Sequence, residues 1–345
     1  MSPADESVPV FVAELARAWP VERWHDVPVL IAVSGGSDSI ALLRGLDLIA
    51  RSVSTEPPRL FVAHFNHRLR GAASDRDEAF VCELAKTLGR PCFVARSERC
   101  STESATGIEE QARAERYAFF EQAAWECGAR YLVTAHTADD QAETVLHRIV
   151  RGTGLAGLAG IPRVRQLNEA CSLVRPLLTF RREALRSFLV ELEQAYCEDD
   201  SNRDRSFTRN RIRHALLPQL AAEYNPGVSD ALVRLAATVV DWQAWVDQQI
   251  EPLVDQAVMS HSAEQLTIAL TPLREQPRFV LREVFVRLWQ RQSWPLQAMG
   301  HDEWTRLVEF AQVPGSTSFT LPGGCVVQYL DDRNVITLRR VTSRS

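Results

Sequence analysis

The chain is 345 residues long, carries a formal net charge of −5 at pH 7 and is 46% hydrophobic, the balance of a soluble globular protein with room for two domains. No apolar run approaches a membrane-spanning length and the N-terminus lacks the basic-then-apolar order of a signal peptide, so nothing in the sequence suggests a membrane protein. Its 7 cysteines are scattered with no Cys-x-x-Cys, which fits a reducing cytoplasm and argues against a zinc or iron–sulfur centre.

Val29-Leu30-Ile31-Ala32-Val33 is apolar without alternation, which predicts a strand covered on both faces of a parallel sheet. Ser34-Gly35-Gly36-Ser37-Asp38-Ser39 then makes a tight loop that leads into a helix over Ile40 to Ala50. Leu60 to His64 is a second strand, ending in His64-Phe65-Asn66-His67-Arg68, where the strand ends of open α/β sheets face ligands. Ser74 with Asp77 predicts the cap of a helix to Leu88 that Gly89 ends, and Cys92 to Ala95 supplies a third strand. Gly107 opens a helix to Cys127, Tyr131 to His136 is a fourth strand, and Thr137 with Asp140 starts the next helix. Ser172 to Pro176 holds a shorter fifth strand and Phe180 to Gln194 a helix. This alternation predicts an α/β fold with a doubly wound, mainly parallel sheet.

From Arg209 the chain is helical to Leu217, where Pro218 limits it, and Asn225-Pro226-Gly227 marks a break. The predicted domains are therefore 1–224 and 225–345. The second is mainly helical, over Val228 to Val258, Pro277 to Trp289 and His301 to Gln312, and ends in short strands between Ser318 and Leu338. Trp242 and Trp245 are spaced to share a helix face, and the aromatic residues of this domain are expected in its core.

Three stretches carry chemistry. At Ser34 to Ser39 the glycines let an anion approach without a Cβ in the way, and a helix N-terminus with three hydroxyls expects a phosphate or pyrophosphate. Asp38 would repel that guest unless a divalent cation sits between them, which assigns Asp38 to Mg²⁺. The loop is not a Walker A sequence: it has no Gly-Lys-Ser/Thr ending, and Lys86 is the sole lysine of the chain. On the helix after His136, Asp140, Glu143, Thr144 and His147 fall on one face, where they would complete a metal site or deprotonate an amine, or merely partner the helix dipole. Arg203, Arg205, Arg209, Arg211 and Arg213 crowd one segment against Asp204, a basic run suited to nucleic acid or a solvated helix face.

Together with Gly107-Ile108-Glu109-Glu110 leading to Arg113, Arg151-Gly152-Thr153-Gly154-Leu155, and Asp200-Ser201-Asn202 through Arg209-Asn210-Arg211-Ile212-Arg213-His214, these blocks resemble the tRNA(Ile)-lysidine synthetases among the PP-loop ATP pyrophosphatases. The resemblance covers about residues 25 to 226 and suggests a shortened C-terminal region. It implies a cytoplasmic ligase that uses ATP and Mg²⁺ to join free L-lysine to C2 of the wobble cytidine of a tRNA-Ile with a CAU anticodon. The route is an adenylated cytidine, and the products are lysidine, AMP and pyrophosphate. It implies that Ser34, Gly35, Gly36, Ser37, Asp38 and Ser39 bind ATP and metal, with His64 near the nucleotide. Arg113 would hold phosphate or the flipped base, Asp139 and Glu143 would handle the lysine amine or a proton relay with Asp140 close behind, and Asn202, Arg209 and Arg213 would meet the anticodon loop. The first domain would be catalytic and the second would bind tRNA; a homodimer is left open.

Two other PP-loop activities compete. A tRNA thiolase needs a reactive cysteine at the sheet edge, and no cysteine lies beside a recognised block; an amidotransferase needs a glutaminase partner. A non-catalytic RNA-binding module is a third alternative, disfavoured by the intact polar set of Ser34 to Ser39.

Overall fold

A computed structural model describes residues 9–53, 58–68, 71–97, 105–198, 208–313, 318–330 and 334–340, with the side chains of 105–110 excepted. By contact the chain divides into two compact units, Met1–Val239 and Val240–Ser345.

The first unit opens with α1 (Val10–Ala18), β1 (Val29–Ala32), α2 (Ser37–Ser52), β2 (Leu60–Asn66), α3 (Ala72–Thr87) and β3 (Cys92–Arg96). It continues with α4 (Ala105–Cys127), β4 (Tyr131–Val133), α5 (Ala138–Arg151), the single turn α6 (Leu155–Leu158), β5 (Val164–Gln166), β6 (Ser172–Val174) and α7 (Arg182–Glu191). The strands form a six-stranded sheet in the order β3-β2-β1-β4-β6-β5, parallel throughout except for β5. The unalternating apolar strands are explained by burial on both faces. Val29, Ile31, Val62, Val133 and Val174 pack with α1, α2 and α7 on one side, while Leu30, Ala63, Leu132 and Leu173 pack with Phe120, Ala123 and Ala124 of α4 on the other. Each such valine, leucine or isoleucine fully buried contributes about 1.5–3 kcal/mol. The order reverses between β1 and β4, so the ends of β2, β1, β4 and β6 open on one crevice, the usual ligand edge of such a sheet.

Several elements depart from expectation. α3 starts at Ala72, before Ser74, because Gly71 at φ +51° makes the turn into the helix without a side-chain cap. Ser74 is instead buried, and its carbonyl accepts from Asn66 Nδ2 at 3.4 Å. β4 ends at Val133, and α7 begins at Arg182 rather than Phe180. The edge strand β5 was not expected; all three of its residues are exposed, so no burial pattern marks it.

α8 (Thr208–Arg211), a π-helical stretch at Ile212–Leu216 and α9 (Leu217–Glu223) follow, so the helix passes Pro218. Proline has no N–H for the carbonyl four residues back, and the wide π turn before it takes up the mismatch. Asn225-Pro226-Gly227 separates α9 from α10 (Val228–Ala257).

In the second unit, β7 (Val258–His261), β8 (Gln265–Ala269), β9 (Ser318–Leu321), β10 (Cys325–Leu330) and β11 (Val335–Arg340) form an antiparallel sheet in the order β7-β8-β11-β10-β9. It packs with α11 (Arg278–Arg291) and α12 (His301–Gln312) around Leu266, Ile268, Phe285, Trp289, Val327 and Ile336. β7 and β8 extend the expected tail strands into a full sheet. Trp242 packs on Phe279 with ring centres 5.4 Å apart, but Trp245 is 58% exposed and therefore not core. No helix among the described residues is long and apolar enough to cross a membrane.

Candidate active site

The chain leaves β1 at Ala32 and turns at Gly35, whose φ of +95° favours glycine. The turn is tight against its surroundings: a Cβ on Gly35 would meet Cys197 Sγ at 3.4 Å, and the Cys197 N–H donates to the Gly35 carbonyl at 2.9 Å. A cysteine therefore does stand against the loop, contrary to expectation, brought there by the turn that follows α7. Ser39 braces the loop from within. Its hydroxyl accepts from the Ser34 N–H at 3.1 Å and donates to the Gly36 carbonyl at 2.9 Å. The first turn of α2 has no side-chain cap, so its N–H groups remain available to an anion.

His64 on β2 fixes the loop's approach. Its Nδ1 is 2.8 Å from the Val33 carbonyl, which sets the proton on that nitrogen, and burial holds its pKa below the ordinary histidine value. Beyond it, buried Asn66 donates to Asp75 at 3.1 Å and to Glu78 at 2.9 Å, anchoring the start of α3 to the end of β2.

Thr137 caps α5 in a reciprocal box: its hydroxyl accepts from the Asp140 N–H at 3.3 Å, and Asp140 accepts from the Thr137 N–H at 2.9 Å. The cap is also half of an ionic network. Asp140 and Glu143 are 9% and 2% exposed, and three guanidiniums converge on them. Arg182 Nη1 lies 3.1 Å from Glu143 Oε1, and its Nη2 bonds Asp140. Arg213 Nε lies 2.6 Å from Glu143 Oε1 and its Nη2 3.2 Å from Asp140 Oδ1, while Arg209 reaches both acids at 3.3 Å. Arg182 Nε also meets Asp38 Oδ2 at 3.1 Å, so three carboxylates face three guanidiniums.

Burial alone would penalise the Asp140 charge, but Arg182 and the Thr137 N–H hold its pKa below the usual carboxylate value. At Asp38 burial outweighs Arg182 and the pKa is raised. Burial opposes the Arg182 charge too, yet Asp140, Glu143 and Asp38 push its pKa up. Asp139 stands one step outside, accepting from the Arg182 backbone N–H at 2.9 Å and from Arg181 Nη1 at 3.3 Å, so it caps α7.

The structure thus brings together Asp38, Asp139, Asp140, Glu143, Arg209 and Arg213, and it adds Arg181 and Arg182, which sequence reasoning missed. A signal was present. Two cations at the start of a helix oppose its dipole, which is unfavourable unless carboxylates face them. Arg113 is not among the cluster's ion pairs; it is exposed, with its guanidinium carbon 5.1 Å from the Tyr117 ring centre. Asn202, Arg203 and Arg205 lie outside the described residues.

Among the described residues no three His, Cys, Asp or Glu side chains group as a metal cage. The donor set suits an ion that takes one or two carboxylates here and its remaining ligands from phosphate and water, which is the habit of Mg²⁺.

The strand, glycine turn and helix start at Ser34 to Ser39, set in a doubly wound sheet, define a PP-loop domain, and the family model of the PP-loop domain matches residues 13–220. A tRNA(Ile)-lysidine synthase of Geobacter sulfurreducens is 39% identical over 83% of this chain and 59% of its own length. That of Rhodopirellula baltica is 35% identical over 85% of this chain and 82% of its own. The chain belongs to the tRNA(Ile)-lysidine synthase family. The chain spans 59% of the length of the Geobacter protein and 82% of that of the Rhodopirellula one, and as little as 44% of other curated relatives. Among solved structures, the U34-tRNA thiolase NcsA from Methanococcus maripaludis has a similar fold. Its TM-score is 0.55 at 14% identity, over 67% of this chain and 78% of that one.

Proposed function

We propose that the protein uses ATP to ligate free lysine to C2 of the wobble cytidine of a CAU-anticodon tRNA-Ile in the cytoplasm. The observation that carries this reading is the bridge from Asp38 through Arg182 to Asp140 and Glu143, which joins a phosphate-sized loop to buried carboxylates at one sheet edge. The catalytic part is residues 1–224, and residues 225–345 bind the rest of the tRNA.

The C2 oxygen of cytosine cannot leave unaided. In the first step that oxygen attacks the α-phosphorus of ATP, and the bond to pyrophosphate breaks. The lysine amine then attacks C2, the C–O bond breaks, and AMP departs with the oxygen. Positioning and charge neutralisation supply most of the acceleration in phosphoryl chemistry of this kind. Ser34, Gly35, Gly36, Ser37 and Ser39 shape the phosphate cradle, with its free N–H groups at the start of α2. His64, neutral and fixed by Val33, keeps that cradle's base in place. Mg²⁺ bound here would neutralise phosphate charge, and Asp38 is the residue that would hold it.

The second step needs a neutral amine and a base for its proton. Asp139 and Glu143 take this role, with Asp140 beside them. Because Arg182, Arg209 and Arg213 already neutralise Asp140 and Glu143, a lysine ammonium enters by exchanging with a guanidinium instead of meeting a bare acid. Arg209 is the most exposed of the three and the readiest to exchange. Released from Glu143, Arg209 and Arg213 then meet the anticodon loop with Asn202. Arg113 holds phosphate or the flipped base on the α4 side.

The test is ATP labelled at the α-phosphate, incubated with the protein and each combination of tRNA and lysine. Labelled AMP that requires both supports the reading; AMP formed without RNA contradicts it. A second reading, sulfur transfer to a tRNA base, draws on Cys197 against Gly35. In that case AMP release would require a sulfur donor and ignore lysine.

A further inference from the structure

Tyr117 on α4 gathers cations. The guanidinium carbons of Arg113 and Arg165 lie 5.1 Å from its ring centre and that of Arg116 5.8 Å, and Tyr117 stands near enough to Arg175 to favour its charge. Arg113 and Arg116 come from α4, Arg165 from the edge strand β5, and Arg175 from the residue after β6. The antiparallel pairing of β5 with β6, and the Arg175 N–H donating to the Arg163 carbonyl at 2.9 Å, hold the last two on one edge.

This group differs from the network around Glu143. There each guanidinium faces carboxylates, whereas among the described residues Arg113, Arg165 and Arg175 have no ion pair with an acid. Arg175 is 4% exposed, spends one terminal nitrogen on the Pro162 carbonyl at 2.6 Å, and keeps a fully shielded Nε with no partner. Burial pushes its pKa below the arginine value; Tyr117 opposes the shift, and the neighbouring Arg165 and Arg113 add to it. His136 lies within electrostatic reach of both groups, of Asp140 and Arg209 in one and of Arg175 and Arg116 in the other, and Arg175 follows β6, the sheet neighbour of β4. The cluster therefore adjoins the candidate active site.

We propose that the Tyr117 arginine cluster is a clamp for the RNA backbone, holding a phosphodiester of the strand that carries the target base. This rests on the function proposed above and goes beyond it by adding Arg116, Arg165 and Tyr117 to the RNA-binding set, with buried Arg175 supplying positive charge from beneath. The occupant is an RNA phosphate rather than the nucleotide's because the polyphosphate already has its cradle at Ser34 to Ser39. Tyr117, whose ring attracts the guanidiniums, spaces and orients them.

Arg165 is exposed on an edge strand, so Arg165→Ala and Arg165→Lys leave the packing of the sheet untouched. Binding of a tRNA transcript is measured from low to moderate salt for the full chain, together with the ATP dependence of AMP release. Arg165→Ala weakens RNA binding about fivefold and lowers the log–log salt slope by about 0.7–0.9, the value of one lost phosphate contact. Arg165→Lys restores the slope, and the ATP concentration for half-maximal rate moves less than twofold in both variants. An unchanged slope in Arg165→Ala overturns the clamp, and so does a raised ATP requirement with RNA binding intact. Wild-type protein that binds tRNA yet releases no AMP strikes at the proposed function, not at the clamp.

Discussion

Arg182 Nε lies 3.1 Å from Asp38 Oδ2, which ties the first turn after the glycine loop to the start of a helix 144 positions further along the chain. The same guanidinium serves Asp140 and Glu143, so one side chain neutralises three carboxylates. Its removal leaves buried charge that Arg209 and Arg213 only partly cover. Arg182→Met therefore costs about 3 kcal/mol of stability, the low end for a broken buried pair. A urea titration at neutral pH measures it; a loss below about 1 kcal/mol would mean that the other two arginines suffice.

Asp38→Ala should act differently. It removes a carboxylate that burial already penalises and leaves Arg182 bonded to Asp140 and Glu143, so the fold holds. ATP-dependent pyrophosphate release falls by about a hundredfold or more, the scale of losing one charge-stabilising group. Near-normal turnover would remove Asp38 from the proposed metal and phosphate site.

Two half-buried histidines set a pH dependence of stability. Burial, with Arg116 adding to it, pushes His67 down to about 4. Burial also takes His136 down to about 4 against the opposing pull of Asp140, with Arg175, Arg209 and Arg116 adding to it. An unfolded histidine binds its proton near 6.5, so between the two values the unfolded chain holds more protons. Their stabilisation is complete above pH 6.5 and is lost as pH falls toward about 4. Unfolding midpoints at about pH 7.5 and about pH 5 should differ for the wild type, with His136→Gln flattening the difference by about 1–2 kcal/mol. Equal slopes in both proteins would mean that His136 is not kept neutral by its surroundings.

Salt tests the basic segment. If the five arginines from Arg203 to Arg213 all reach phosphate, tRNA affinity drops roughly a hundredfold between about 50 and about 200 mM salt. Arg209 and Arg213 are engaged with Asp140 and Glu143 in the free protein, so full slope requires those pairs to open when RNA binds. A double Arg209→Gln, Arg213→Gln variant should then lose about 1.4–1.8 from the slope. A slope equal to the wild type's would leave both arginines on the carboxylates in the complex.

Most of the first unit was legible because its strands are buried on both faces and its helices are punctuated by glycine. Gly89, Gly128 and Gly152 each close a helix at positive φ. The Thr137 and Asp140 cap was legible too, as a local pattern of two residues three apart. What could not be seen was partnership across distance. Asp140 reads in sequence as either a dipole partner or a site acid, and in the structure one oxygen caps the helix while the other meets three arginines. The start of α3 was misplaced because a glycine turn replaced the side-chain cap that Ser74 suggested. β8 alternates buried Leu266 and Ile268 with exposed or half-buried neighbours, a period-2 pattern that is short enough to pass for a turn after a long helix.

In the proposed reaction the Ser34 to Ser39 loop and the acids of α5 act on one bound RNA base. The most direct measurement is radiolabelled lysine with ATP and a CAU-anticodon tRNA-Ile transcript, followed by nucleoside analysis of the RNA and of the spent nucleotide. The expected result is label at the wobble position, with AMP and pyrophosphate formed in equal amounts. RNA that stays unlabelled, or ATP split to ADP and orthophosphate, would contradict it.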